Sequence, residues 1–146
     1  MVTLLVKALA DINAVSKQGE TALFEACLKG HLRVVDVLLQ FNADVNLANN
    51  DGITPLIVSA AEGHAMVSKA LLAAGADCNR KDQVNYYYLR FSGFSFQQNG
   101  YSALYRACER NNGKIVEQLI DAGANLDGLN QVCMLLTYWG LCIQVC

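Results

Sequence analysis

The chain has 146 residues, of which 53% are hydrophobic and 16% charged, with a single proline. That length suits one domain, and that balance excludes a disordered or collagen-like polymer, so a buried core is expected. A formal net charge of -2, with the basic residues scattered, supplies no long-range field to gather the chain onto phosphate, which argues against nucleic acid as a partner.

The opening residues, MVTLLVKALA, imitate a leader because Ala8-Leu9-Ala10 has the form of a cleavage site. No basic residue precedes the apolar run and Lys7 interrupts it, so it does not read as a signal peptide. Met1 to Gln18 instead align without gaps to the second half of a unit that follows in full. That unit reads GETALFEACLKGHLRVVDVLLQFNADVNLANND from Gly19, and it restarts 33 residues later at Gly52 as GITPLIVSAAEGHAMVSKALLAAGADCNRKDQ. A third copy, GYSALYRACERNNGKIVEQLIDAGANLDGLNQ, begins at Gly100. The organisation is a half unit at 1–18 and full units at 19–51, 52–83 and 99–131 within a domain spanning 1–131.

Each unit makes local sense as a helical hairpin. Asp51-Gly52 signals a turn, Thr54 can cap a helix, and Pro55 at its first position has no amide hydrogen to leave unpaired. Leu56, Ser59 and Ala60 recur at helical spacing, and Gly63 ends that helix. Met66, Val67, Ala70 and Leu71 continue the apolar pattern on a second helix, which Gly75 closes. Hairpins this short cannot bury both apolar stripes alone, so they must stack on their neighbours. The expected fold is all-α, a solenoid of stacked helix-turn-helix units with hairpin loops.

Two segments depart from the period. Residues 84–98, VNYYYLRFSGFSFQQ, interrupt a hairpin loop, and removing these 15 returns the 48-residue step from Gly52 to Gly100 to 33. Residues 132–146, VCMLLTYWGLCIQVC, form an atypical apolar tail that falls short of the roughly 18–20 residues needed to span a bilayer. Both departures begin with Val after Gln, at Gln83-Val84 and Gln131-Val132. Two readings stay open: a natural insertion with an apolar cap, or retained intron sequence, since Val codons begin with the bases of a splice donor.

The six cysteines (Cys27, Cys78, Cys108, Cys133, Cys142, Cys146) form no C-x-x-C pair and have no histidine at ligand spacing. Free, mostly buried thiols are expected, with no metal and no cofactor, in a reducing cytoplasmic compartment with the nucleus as the alternative. The sequence carries no GxSxG, HExxH, G-x-x-x-x-G-K-[ST] or GxGxxG, and its carboxylates are scattered on predicted solvent faces. An enzyme is not expected.

Pro55 in TPL, the Gly-His pairs at 30–31 and 63–64, Val34-Val35, the Leu-Leu pairs at 38–39 and 71–72, and Gly75-Ala76-Asp77 recur in register. Together they resemble the ankyrin repeat over residues 1–83 and 99–131. The third copy departs from the pattern, with Asn111-Asn112 in place of Gly-His and Ser102-Ala103 in place of Thr-Pro. The resemblance implies that His31 and His64 brace neighbouring turns, and that the chain binds a partner protein through its hairpin tips and the concave face of the first helices. Mapped here, that surface comprises Lys17, Gln18, Glu20, Leu28 and Lys29, then Asn50, Asp51, Ile53 and Glu62, then Tyr101, Glu109 and Arg110. Leu28, Ile53 and Tyr101 would be its exposed apolar anchors. The resemblance further implies hydroxylation of Asn13, Asn46 and Asn79 by an asparaginyl hydroxylase, each having a Leu eight residues and an Asp two residues earlier. A structural role for these asparagines in the hairpin is the leading expectation.

The reading is a scaffold or adaptor, monomeric or weakly self-associating, with no membrane contact. The alternative is a fragment of a larger ankyrin-bearing protein such as a kinase, channel or ubiquitin-ligase adaptor. The apolar residues Met1, Val2, Leu4 and Leu5 favour it, because a terminal repeat is expected to turn a polar edge outward.

Overall fold

The computed structural model describes residues 11–83 and 100–126. The first half of the half unit, the insertion at 84–98 and the tail at 132–146 therefore lie outside the described residues, with Cys133, Cys142 and Cys146. Within the described residues are six helices and no strand: α1 (Ala22–Leu28), α2 (Leu32–Gln40), α3 (Pro55–Glu62), α4 (Ala65–Ala73), α5 (Ala103–Glu109) and α6 (Gly113–Asp121).

The start of each hairpin is set by one hydroxyl. Thr21, Thr54 and Ser102 lie in extended conformation just before α1, α3 and α5. Their side-chain oxygens accept from the amides of Phe24, Ile57 and Tyr105 at 3.0, 3.3 and 3.3 Å. Each bond satisfies an amide that the first helical turn leaves without a partner. Pro55 stands first in α3, as its missing N–H allows. Ser102 does the work of threonine in the third unit, so the departure there is chemically neutral.

Termination of the first helix needs a left-handed residue. Gly63 has φ of 81° and Gly30 of 69°. In the third unit Asn111 adopts φ of 56° at the same place, a conformation that asparagine tolerates better than other side chains. The amides of His31, His64 and Asn112 then reach back to the carbonyls of Ala26, Ser59 and Ala107, all at 2.9 Å. Asn111-Asn112 thus builds the same turn as Gly-His.

The hairpins stack in two rows. α1, α3 and α5 pack side by side in one row, α2, α4 and α6 in the other, and each first helix packs on the second helix of its own unit. Leu23, Leu56 and Leu104 hold one register position of the first row, and Leu38, Leu71 and Leu119 one position of the second, all essentially removed from solvent. Burying each side chain stabilises by about 1.5–3 kcal/mol, and truncating Leu71 to alanine would cost about 2–5 kcal/mol. Where α3 faces its neighbours only small groups fit: Cys27, Ala60 and Cys108 share a position and are all buried.

One helical expectation is corrected. Met66 does not join the apolar face of α4 but is 56% exposed, while Val67 and Leu71 are buried with Ser68 beside them. Met66 occupies the register position of Arg33 and Lys114, both solvent-facing, so the packed face begins one residue later. The buried Ser68 hydroxyl bonds that of Ser59 at 2.9 Å, where the flanking units carry Ala26 with Val35 and Ala107 with Val116.

Candidate functional site

The hairpin tips are built by one residue per unit, the equivalent positions Ser16, Asn49 and Asp82. Ser16 Oγ accepts from the amides of Gln18 and Glu20, both at 3.2 Å. Asn49 Oδ1 accepts from Asp51 and Ile53, both at 3.0 Å, and Asp82 Oδ1 accepts from Tyr101 at 2.8 Å. In each case the same residue's own amide donates back to the carbonyl of Glu20, Ile53 or Tyr101, at 2.9, 3.0 and 3.0 Å. A short polar side chain bonding the backbone ahead of it is the chemistry that closes a tight turn. Gly100 has φ of 70°, and a Cβ there would run into the Asp82 carbonyl, so glycine is required on both counts.

Neighbouring tips are tied to one another. The Asn50 amide donates to the Gln18 carbonyl and Asn50 Nδ2 to the Lys17 carbonyl, both at 3.0 Å, and the Gln83 amide donates to the Asp51 carbonyl at 2.7 Å. Asn50 thus helps to hold the tips together, and like Lys17, Gln18 and Asp51 it is exposed. Glu20, whose amide closes the first tip, is half-buried with a carboxylate 3.4 Å from Ser16 Oγ.

The other half of the candidate surface lies at the C-terminal ends of the first helices, seven or eight residues along, which at 1.5 Å per residue is about 10 Å from the helix starts. Lys29, Glu62, Glu109 and Arg110 are exposed there. Between the two ends the middle unit offers little, because Pro55 through Ala60 are all buried. The structure thus divides the expected strip into two polar clusters. Leu28, Ile53 and Tyr101 are not the exposed anchors expected of them. All three are half-buried, Leu28 and Ile53 against the core and Tyr101 stacked on Tyr105 with ring centroids 4.2 Å apart. Leu28 ends α1 and Ile53 and Tyr101 precede the capping residues Thr54 and Ser102, and at these margins of the packed face an apolar side chain folds inward.

Between units, His64 Nε2 lies 3.2 Å from the Leu28 carbonyl, and Asn112 Nδ2 donates to the Ala60 carbonyl at 3.3 Å. His64 is the brace that the resemblance implies, and Asn112 replaces it in the third unit. His31 is exposed. On the opposite edge Asn13, Asn46 and Asn79 form a ladder: their Oδ1 atoms accept from the amides of Asp44, Asp77 and Asn125 in the following unit at 2.9, 2.8 and 2.7 Å. Asn46 Nδ2 also reaches the Gly75 carbonyl at 3.4 Å.

Not every carboxylate faces solvent. Asp82 is buried, and its Oδ2 accepts from the guanidinium of Arg106 at 2.7 Å. Arg106 lies 4.8 Å over the Tyr101 ring and 3.4 Å from the Glu109 carboxylate. The sequence carried a signal for this pair, since Asp82 is in register with the turn-closing Ser16 and Asn49, and Arg106 with the buried Val58. By contrast Lys29 and Glu25 stand 4.0 Å apart, both exposed, an arrangement worth little.

Cys27, Cys78 and Cys108 are buried, and burial pushes the Cys27 thiol up to about 12. Among the described residues no three His, Cys, Asp or Glu side chains converge as a metal site would need, and no helix is long and apolar enough to cross a membrane.

Two ankyrin models match the chain, one described as ankyrin repeats (3 copies) over residues 1–82 and one for the single ankyrin repeat over residues 99–131. The chain belongs to the ankyrin-repeat family. Its hairpins, tip bonds and two helical rows are those of an ankyrin solenoid, and ankyrin repeats are generally protein-interaction modules without catalytic activity. Residues 83–98 and 132–146 fall outside both matches. A search of curated proteins returns no match.

Proposed function

We propose that this chain is a scaffold or adaptor that holds a partner protein on its two polar clusters and performs no chemistry itself. The observation that carries the reading is the tying of tip to tip through Asn50 and Gln83. It fixes Lys17, Gln18 and Asp51 at set spacings before a partner arrives, so little ordering is lost on binding. Lys29, Glu62, Glu109 and Arg110 supply charge of both signs at the helix ends, which favours register and choice of partner over raw affinity. The same clusters would serve equally if the repeats belong to a larger protein whose activity lies elsewhere.

The experiment is affinity capture with mass spectrometry, comparing the natural chain with Glu62→Lys, Arg110→Glu and Lys17→Glu. These side chains are exposed, so helicity should stay constant while a captured partner is weakened by about 1–3 kcal/mol in total. Tyr101 is left intact because its ring packs on Tyr105 and Arg106. A partner held with unchanged affinity by all three variants refutes the surface.

A further inference from the structure

Among the described residues the buried charge at Asp82 has no counterpart in the other hairpins, where the same tip position is held by the neutral Ser16 and Asn49. Its side chain is wholly buried and its two oxygens are divided between the Tyr101 amide and the Arg106 guanidinium. Arg106 is equally singular. Its register position is an exposed Glu25 in the first unit and a buried Val58 in the second. Both substitutions occur at one junction, the one where the step between units is 48 residues instead of 33.

The coincidence has a physical reading. Ser16 and Glu20, like Asn49 and Ile53, are four residues apart, so the chain itself keeps the two ends of the hairpin together. Asp82 and Tyr101 are 19 apart, and the longer connection costs more entropy to close. A charge-assisted bond is roughly twice as strong as a neutral one. Moreover, Asp82 belongs to the second unit and Arg106 to the third, so the bond is made only while the two units are docked.

We propose that the Asp82–Arg106 pair is an electrostatic latch that holds the third repeat in register on the second across the long connection. The Tyr101 ring beneath Arg106 and the Glu109 carboxylate beside it aim the guanidinium at Asp82. The latch governs whether Glu109 and Arg110 keep fixed positions relative to the first two units, and it stands whether or not those residues meet a partner.

Hydrogen exchange on the full chain tests it, comparing α5 and α6 with α1 and α2. Arg106→Met strands the Asp82 carboxylate, and exchange in α5 and α6 should quicken roughly a hundredfold, with a smaller change in α1 and α2. Asp82→Asn combined with Arg106→Val installs the neutral residues found at Asn49 and Val58, where the first unit meets the second, and should leave exchange in α5 and α6 roughly tenfold faster than in the natural chain but slower than in Arg106→Met. Lys29→Met, which removes an exposed cation, should change nothing. Exchange in the Arg106→Met chain within about threefold of the natural chain overturns the latch, as does a double variant as well protected as the natural chain. Should Arg106→Met yield no folded protein, the double variant decides alone: quickened exchange in α5 and α6 supports the latch, and exchange equal to that of the natural chain overturns it.

Discussion

The Ser59–Ser68 pair permits a prediction in which the order of two similar substitutions is fixed by one proton. Both side chains have no solvent exposure. Ser59 Oγ donates to the Leu56 carbonyl at 3.0 Å, which uses its only proton, so Ser68 must be the donor in the 2.9 Å bond between the hydroxyls. Ser68→Ala therefore removes a donor and leaves Ser59 satisfied, at a cost of about 1 kcal/mol. Ser59→Ala strands the Ser68 hydroxyl in the core and should cost about 1–3 kcal/mol. Ser59→Ala with Ser68→Val recreates the Ala-Val pair of both flanking units, Ala26 with Val35 and Ala107 with Val116. Replacing both partners by apolar groups of fitting shape is close to neutral or stabilising, so the double variant should lie within about 1 kcal/mol of the natural chain or above it. Urea denaturation followed by circular dichroism, with an unchanged m value, measures all three. A greater loss from Ser68→Ala than from Ser59→Ala would refute the donor assignment, and a double variant worse than either single one would refute the equivalence of the units.

Deleting residues 84–98 shortens the connection between the bonded Asp82 and Tyr101 from 18 residues to three, which lowers closure cost by about 1.5 kcal/mol and should preserve or raise the unfolding midpoint. A marked loss of helicity would show instead that the segment belongs to the core. Asn46→Ala removes the acceptor of the Asp77 amide and should lower stability by about 1 kcal/mol in the same denaturation assay. The proposal that Asn13, Asn46 and Asn79 are hydroxylated is checked by mass spectrometry after incubation with an asparaginyl hydroxylase, and no added oxygen at any of them rejects it. Because Cys27 is raised from 9.0 to about 12 in the folded chain, the unfolded chain loses that proton first, and stability should fall as pH rises through 9 towards 12. Cys27→Ala, which places at that position the residue already present at Ala60, should lose about 1 kcal/mol less than the natural chain between pH 7 and pH 10; equal losses would show that the buried thiol does not contribute.

Much of the fold was legible because the unit is written more than once. Thr54 before Pro55, and Gly63 after Glu62, name the ends of α3 in terms of an amide without a partner and a left-handed turn, and Thr21 and Gly30 repeat the statement. Comparison of copies also separates the packed face from the exposed one, which is where Met66 misled: read alone it continues an apolar stripe, but its register partners Arg33 and Lys114 mark that position as solvent-facing. The third unit shows that identity at a position is a narrower criterion than function. Asn111 and Asn112 match neither Gly30 nor His31, yet one supplies the positive φ and the other the bond to the preceding unit.

The candidate surface was legible only in outline, and the reason is geometric. A repeat places its tips and helix ends by the same backbone bonds in every copy, so sequence register locates those positions well: Lys17, Asp51, Glu62 and Arg110 are exposed where register put them. Register cannot say how far an apolar side chain folds inward, which is why Leu28, Ile53 and Tyr101 read as exposed anchors and are half-buried instead. Nor does periodicity reveal a feature used once. The Asp82–Arg106 pair becomes visible as an exception only when each partner is compared with its own register position in the other units. Such exceptions carry more information about a particular ankyrin chain than its agreements do, because agreements are demanded by stacking in every member of the family, whereas a buried charge at a tip must be matched by a second change elsewhere in the same molecule.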